Sequence, residues 1–259
     1  MPVVVPVVHR RTSLRQAIRR GLPRRGWRVE GCRSVERVEA LLQRRLVDAV
    51  VVDVRSGNGG GEGVADLLRD YPRIPFFAMS ALRPDDASLV KEWRKAGMAG
   101  VLVEGVDDWA AGEIILRRSA SVQRRAMLKD APRVLRLTEP LQLRAWEEVL
   151  ARVGSRTTTV DVARALRRTR EHLSREFGAG GAPNLKRVID LVRIAWAADL
   201  LANPGYGVSA VARILRFASP SHLADCVRRV AGATTRELPA LGPRGVLARF
   251  VGGRMRSRI

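Results

Sequence analysis

Acidic residues are scarce in this 259-residue chain: 26 Asp and Glu stand against 47 Lys and Arg, a formal net charge of +21. A field of that sign draws phosphate polymers and acidic membrane surfaces and says little about fold. Cysteine is scarcer still. Cys32 and Cys226 fall in different halves, which reads as two reduced thiols in a cytosolic protein and excludes a disulfide framework. The three histidines, His9, His172 and His222, have no metal-ligand spacing, and no nucleophile has a base partner at a recognisable distance. Neither an enzyme, a metal nor a cofactor is therefore expected. No apolar run approaches the ~18 residues that a membrane span requires, and the start, MPVVVPVVHRRTS, runs apolar then basic, the reverse of a secretory signal. The glycine run SGNGGGEG (56–63) lacks the Lys-Ser/Thr of a phosphate-cradling P-loop and reads as a mobile loop.

What is present divides into two halves. Residues 1–130 carry 24 basic and 16 acidic groups, residues 131–259 carry 23 and 10, so the larger excess lies in the second. At 46% apolar, the chain is long enough for two domains with separate cores. In the first half, apolar runs at 3–8 (VVVPVV), 47–54 (VDAVVVDV), 74–79 (IPFFAM) and 100–103 (GVLV) alternate with amphipathic stretches at 13–20, 34–45, 62–70 and 85–96. That alternation predicts a doubly wound parallel α/β sheet covered on both faces. Site chemistry in such a sheet belongs at the carboxyl ends of the strands, which places His9, Arg10, Asp53, Ser80 and Glu104 together.

Over roughly residues 1–118 this arrangement resembles the receiver domain of bacterial response regulators. The resemblance matches Asp53 to the phosphoacceptor and Ser80 to the switch hydroxyl. The remaining positions depart from the pattern: His9 and Arg10 stand where an acidic pair would hold Mg²⁺, and Glu104 stands where an invariant lysine belongs. One aspartate beside an arginine is a poor cage for a hard ion, so the resemblance implies a pseudoreceiver that serves dimerisation or protein contact. Arg10 is expected to pair with Asp53, the alternative being a strand-end carboxylate with no role. The surface at 85–118, with Trp93 and Trp109, is the candidate pairing face, although both tryptophans also suit half-buried packing.

Residues 119–137 (SASVQRRAMLKDAPRVLRL) read as a basic linker; a helix restarts at Thr138 with an apolar stripe at Leu143, Trp146, Val149 and Leu150. One supersecondary unit then occurs twice, as VDVARALRRTREHLSREF (160–177) and SAVARILRFASPSHLADCV (209–227). Each has a small residue on a first helix (Ala163, Ala212), a tight turn, a hydroxyl N-cap (Thr169, Ser219) and a leucine four residues on (Leu173, Leu223). The pattern predicts two helix-turn-helix units in an all-α domain. Between them, 184–202 carries Leu185, Val188, Ile189, Val192, Trp196 and Leu200 along one core stripe.

Residues 138–241 resemble the AraC/XylS-type DNA-binding domain, in which two such units are joined by a long helix. The runs HLSREF (172–177), RIAWAADLL (193–201) and RFASPSHL (216–223), with Gly232 and Thr234, carry the likeness. It implies a second helix of each unit in a major groove. Arg170, Glu171, Ser174 and Arg175 would then face base edges while Arg167 and Arg168 grip phosphate and Thr169 caps. In the second unit Pro220, Ser221, Ala224 and Asp225 face outward after the Ser219 cap, and Arg213, Arg216, Arg228 and Arg229 are expected on the backbone. His172 is expected to lean toward the core. Residues 242–259 form a basic tail, expected to be disordered or to bind phosphate. The resemblance implies promoter duplex DNA and RNA polymerase as partners, a homodimer, no membrane, and a cytoplasmic, nucleoid-associated place in a bacterial cell. A phosphorylation-controlled regulator acting through Asp53 and a non-specific architectural DNA-binding protein are the alternatives.

Overall fold

Consecutive valines, stiff at χ1 and apolar on both sides, favour buried parallel strands, and the computed structural model, which describes residues 3–55 and 60–256, forms them. The chain divides into two units. The first comprises residues up to Gln123 with Asn203–Gly207, the second Arg124–Ala202 with the residues from Val208 on.

In the first unit the order is β1 (Val3–Val8), α1 (Thr12–Gly21), β2 (Trp27–Cys32), α2 (Val35–Leu42), β3 (Val50–Asp53), α3 (Gly60–Asp70), β4 (Phe76–Ser80), α4 (Ala87–Lys95), β5 (Gly100–Val103) and α5 (Ala111–Arg118). The sheet is parallel with strand order β2-β1-β3-β4-β5, the doubly wound order of flavodoxin-like folds. Its core joins Val5, Val7, Val51, Phe77, Met79 and Leu102 to Leu14, Ile18 and Ile115 of the covering helices. At the α1–α5 crossing a Cβ on Gly112 would stand 2.4 Å from the Ile18 carbonyl oxygen and 2.7 Å from Gly21 Cα, so the two helices meet backbone to backbone.

Three differences from the sequence-based expectation have physical causes. β2 is not among the apolar runs: it is one of the sheet's two edge strands, and its residues WRVEGC are mostly exposed or half-buried. Residues 56–59 of the glycine run lie outside the described residues, whereas Gly60–Gly63 open α3 and are not loop. Trp93 is 1% exposed and belongs to the core, so it offers no docking surface; Trp109 is 83% exposed.

In the second unit, the stretch expected as a linker is helical: α6 (Ala120–Met127) begins in the first unit, and α7 (Ala131–Val134) follows with Leu128, Ala131, Leu135 and Leu137 buried. Then come α8 (Pro140–Ala151), α9 (Thr159–Ala165), α10 (Arg170–Gly178), α11 (Leu185–Leu201), α12 (Val208–Ile214), α13 (Pro220–Ala231) and α14 (Leu238–Arg256). Helix α11 is buried nearly all round, from Leu185 to Leu200, as a central helix must be. Residues 242–256 of the expected tail are also helical. Gly242 breaks α14 in a conformation that favours glycine (φ 58°, ψ −179°). Pro243 then starts a segment whose Val246, Leu247 and Phe250 are buried, with Arg187 over the Phe250 ring at 5.0 Å. No described helix is long and apolar enough to cross a membrane.

Candidate nucleic-acid interface

At the carboxyl edge of the sheet three of the five expected residues meet, His9, Asp53 and Glu104, while Arg10 and Ser80 turn to other partners. His9, 6% exposed, sits with Nε2 3.7 Å from Asp53 Oδ2 and 3.7 Å from Glu104 Oε1. Its Nδ1 accepts the Arg11 backbone N–H at 3.0 Å, which assigns any ring proton of the neutral form to Nε2, facing the two carboxylates. Glu104 is held by Arg11, at 2.8 Å from Nε, and the same guanidinium reaches Asp108 at 3.1 Å. The expected Arg10–Asp53 pair does not form: Arg10 is exposed and lines a groove with Arg15 and Arg33. The reason is order along the chain, since the first residue after β1 points into the sheet's end and the next away from it.

Ser80 is directed elsewhere as well. Its hydroxyl donates to Asp86 Oδ2 at 2.7 Å and accepts the Leu82 N–H at 2.9 Å, while Arg55 Nε donates to Asp86 Oδ1 at 2.8 Å. Burial pushes the Asp86 carboxyl up, but the Ser80 and Arg55 hydrogen bonds outweigh it and hold the group below its ordinary value. Receivers would hold Mg²⁺ here, and the donor set does not fit it. Of the three groups, one is an imidazole whose Nδ1 is already occupied and one is a carboxylate paired with an arginine, whereas Mg²⁺ needs oxygen ligands in near-octahedral array. Among the described residues no group of three or more His, Cys, Asp or Glu could hold a metal. Incubation with a small phosphodonor and Mg²⁺ is therefore expected to leave the intact mass unchanged; a gain of one phosphoryl group, absent in Asp53→Ala, would show a working phosphosite. The two cysteines are free and buried, and desolvation pushes the Cys32 thiol up to about 11.

In the second unit the two copies close in the same way. Helix α9 ends with Arg168 N–H bonded to Ala163 O (2.9 Å) and Arg167 N–H to Arg164 O (3.1 Å); α12 ends with Phe217 N–H to Ala212 O (2.9 Å) and Arg216 N–H to Arg213 O (3.2 Å). Each pair of bonds is a Schellman motif, and each places an arginine, Arg167 (φ 54°) or Arg216 (φ 60°), in the left-handed region where glycine is usual. Next comes the hydroxyl cap: Thr169 Oγ1 accepts from His172 N at 3.2 Å and Ser219 Oγ from His222 N at 3.0 Å. The second turn is one residue longer between Schellman bond and cap. Buried residues then anchor each second helix, Leu173 and Phe177 in α10, Leu223 and Val227 in α13.

The outward faces follow. In α10 Arg170, Glu171, Ser174 and Arg175 are exposed together with Arg167 and Arg168 in the turn. His172 is exposed too, a correction to its expected core position, because the leucine one residue on takes the inward direction. In α13 Pro220, Ser221 and Asp225 are exposed and Ala224 half-buried; Asp225 is paired with Arg228 at 2.6 Å. Arg229 turns to Asp190 of α11 at 3.0 Å, which gives it a bracing role in the fold. Arg213 is exposed and Arg216 half-buried.

Supporting residues had no sequence signal. Gln142 is buried, accepts the Thr138 and Glu139 N–H groups at 2.9 and 3.0 Å, and donates to Phe177 O at 2.9 Å, tying α8 to the end of α10. Arg193 lies over the Phe217 ring at 3.8 Å and donates to Leu215 O at 2.9 Å, bracing the second turn from α11. Thr158, the cap of α9, was legible in hindsight from the Thr-x-x-Asp box with Asp161, whose carboxyl the Thr158 hydroxyl holds below its ordinary value.

No family model matches the chain, and no curated protein matches it. Among solved structures it is similar to a response regulator from Thermotoga maritima (20% identity over 46% of this chain and 98% of that one, TM-score 0.39). It is also similar to full-length FixJ from B. japonicum (16%, 88% and 96%, TM-score 0.37). RcsB from Salmonella enterica serovar Typhimurium, bound to promoter rprA with a phosphomimetic, is a third (16%, 73% and 98%, TM-score 0.34).

Proposed function

We propose that the chain is a sequence-specific DNA-binding transcription regulator of AraC type, whose receiver-like unit works by dimerisation or protein contact without phosphorylation. The observation that carries this reading is the doubled turn. Two helix pairs end their first helix in the same Schellman bonds, put an arginine in the strained position, and start the second helix on a hydroxyl cap. A second helix so held offers its first turns to a major groove, and two such helices suit grooves about one turn, ~34 Å, apart. Helix α10 is the principal reader: Arg170 suits guanine, Glu171 suits the cytosine amino group, and Ser174 is permissive. Helix α13 contributes mainly backbone contacts, because its exposed carboxylate, Asp225, is already neutralised by Arg228. The exposed Val106 and Trp109 of the first unit support a protein-contact role. Promoter DNA, a second copy of the chain and RNA polymerase are the partners of this reading, in the cytoplasm of a bacterial cell.

Selection of duplexes from a random pool with the full chain tests it. A discrete motif is expected; a pool that stays random after repeated rounds would leave only the architectural, charge-driven alternative.

A further inference from the structure

Segment 10–33 holds nine arginines and one glutamate, and the rest of residues 1–130 holds fifteen groups of each sign. The whole positive excess of the first half is thus concentrated on α1, the edge strand β2 and their flanking loops. Six of these arginines line two grooves that share Arg15 and Gly31. One, of about 430 Å³, is bordered by Arg10, Arg15 and Arg33. The other, of about 540 Å³, is bordered by Arg15, Arg19, Arg20 and Arg28. Among the described residues no carboxylate lines either groove, and the segment's single acid, Glu30, is engaged by Arg37 at 3.4 Å. Arg15 is held in place: it donates to His9 O and Thr12 Oγ1, each at 2.9 Å, and packs over Gly31, where a Cβ would stand 3.0 Å from its Nε.

We propose that this edge is a second DNA-backbone surface, located on the receiver-like unit and separate from the two reading helices; it rests on the reading of the chain as a DNA-binding protein. The chemistry favours a phosphate polymer over one small anion. The arginines are spread over α1 (Arg15, Arg19, Arg20), the strand β2 (Arg28) and the loops beside them (Arg10, Arg24, Arg25, Arg33), and separated cations of this kind suit successive phosphates of one strand, ~3.4 Å of axis each, better than a single anion. All nine cations are arginine, whose planar fork takes phosphate oxygens in pairs. The surface grips without reading sequence and adds affinity to operator and bulk DNA alike.

The test is the salt dependence of full-chain binding to the selected operator and to a scrambled duplex, for the wild type and for R20A/R28A/R33A. Those three side chains are exposed and hold no hydrogen bond or ion pair among the described residues, so their removal spares the fold. Circular dichroism and melting temperature check that, and R10A/R24A/R28A is the substitute if they shift. The slope of log Kd against log salt is expected to become shallower by ~2–3, at ~0.9 for each phosphate that the variant leaves un-neutralised, with equal weakening on both duplexes. Unchanged slopes overturn the proposal. So does a variant with unchanged slopes that no longer binds pyrophosphate or a mononucleotide, because the edge would then serve a small phosphate ester. If wild-type protein does not distinguish operator from scramble, the sequence-specific reading fails while the slope comparison still decides this surface.

Discussion

Asp199→Ala is expected to lower the stability of the full chain by about 3–5 kcal/mol, the range for breaking a buried ion pair from one side. Asp199 on α11 receives Arg124 Nε at 2.6 Å, and the two side chains are 4% and 0% exposed. Truncating the acid removes the carboxylate that Arg124 Nε donates to while the guanidinium stays out of water, and a loss of that size is a large share of the ~5–15 kcal/mol that holds a domain together. Replacing both partners by apolar residues of similar volume, R124M/D199L, should recover most of it, because the desolvation cost disappears with the charges. Urea unfolding of the two variants beside the wild type measures both. A D199A loss below about 1 kcal/mol would show that water reaches the pair and that α6 is not pinned to α11 as described.

The second large effect concerns recognition. Arg170→Ala is expected to reduce discrimination between the selected operator and a duplex changed at one guanine by about 1–3 kcal/mol, roughly 5- to 150-fold. Arg168→Ala, in the turn, should instead weaken binding to every duplex alike and lower the salt slope by about one. The contrast tests the division of labour inferred from position, one side chain in the first turn of α10 and the other in the left-handed turn before it. Equal losses on matched and mismatched DNA for R170A would place that arginine on phosphate and remove α10 as the reader. Arg228 is expected to behave more weakly than either, since Asp225 already neutralises it.

The parts of this molecule that were legible in its sequence are those whose cause is local. An N-cap needs a hydroxyl three residues before the N–H it accepts, so Thr169 and Ser219 marked the starts of α10 and α13. Helical periodicity likewise located Leu173, Phe177, Leu223, Val227 and the stripe of α11. Strand β2 gave no signal because an edge strand needs no continuous apolar run. The end of the chain looks disordered in sequence because Gly242, Pro243 and an arginine-rich composition resemble a loose tail, while Val246, Leu247 and Phe250 place an apolar face on it. At the sheet's carboxyl edge the sequence reading grouped His9, Asp53 and Glu104 as the structure does, but added Arg10 and Ser80, which turn elsewhere. His9 rather than Arg10 faces Asp53, and Arg11, which carried no signal, holds Glu104. Such choices depend on which way a loop turns after β1 and on groups far along the chain, as the buried bonds of Gln142 and Arg124 also depend on distant partners.

The pair of helix-turn-helix units with the same closing bonds carries the central proposal, that this chain reads DNA sequence. The direct measurement is the ratio of dissociation constants of the full chain for the selected operator and for its scramble, taken across a salt series. A ratio of at least ~10³ is expected to persist as both affinities fall with salt, since base contacts survive where phosphate contacts are screened. Two curves that fall together with a ratio near one would contradict the claim.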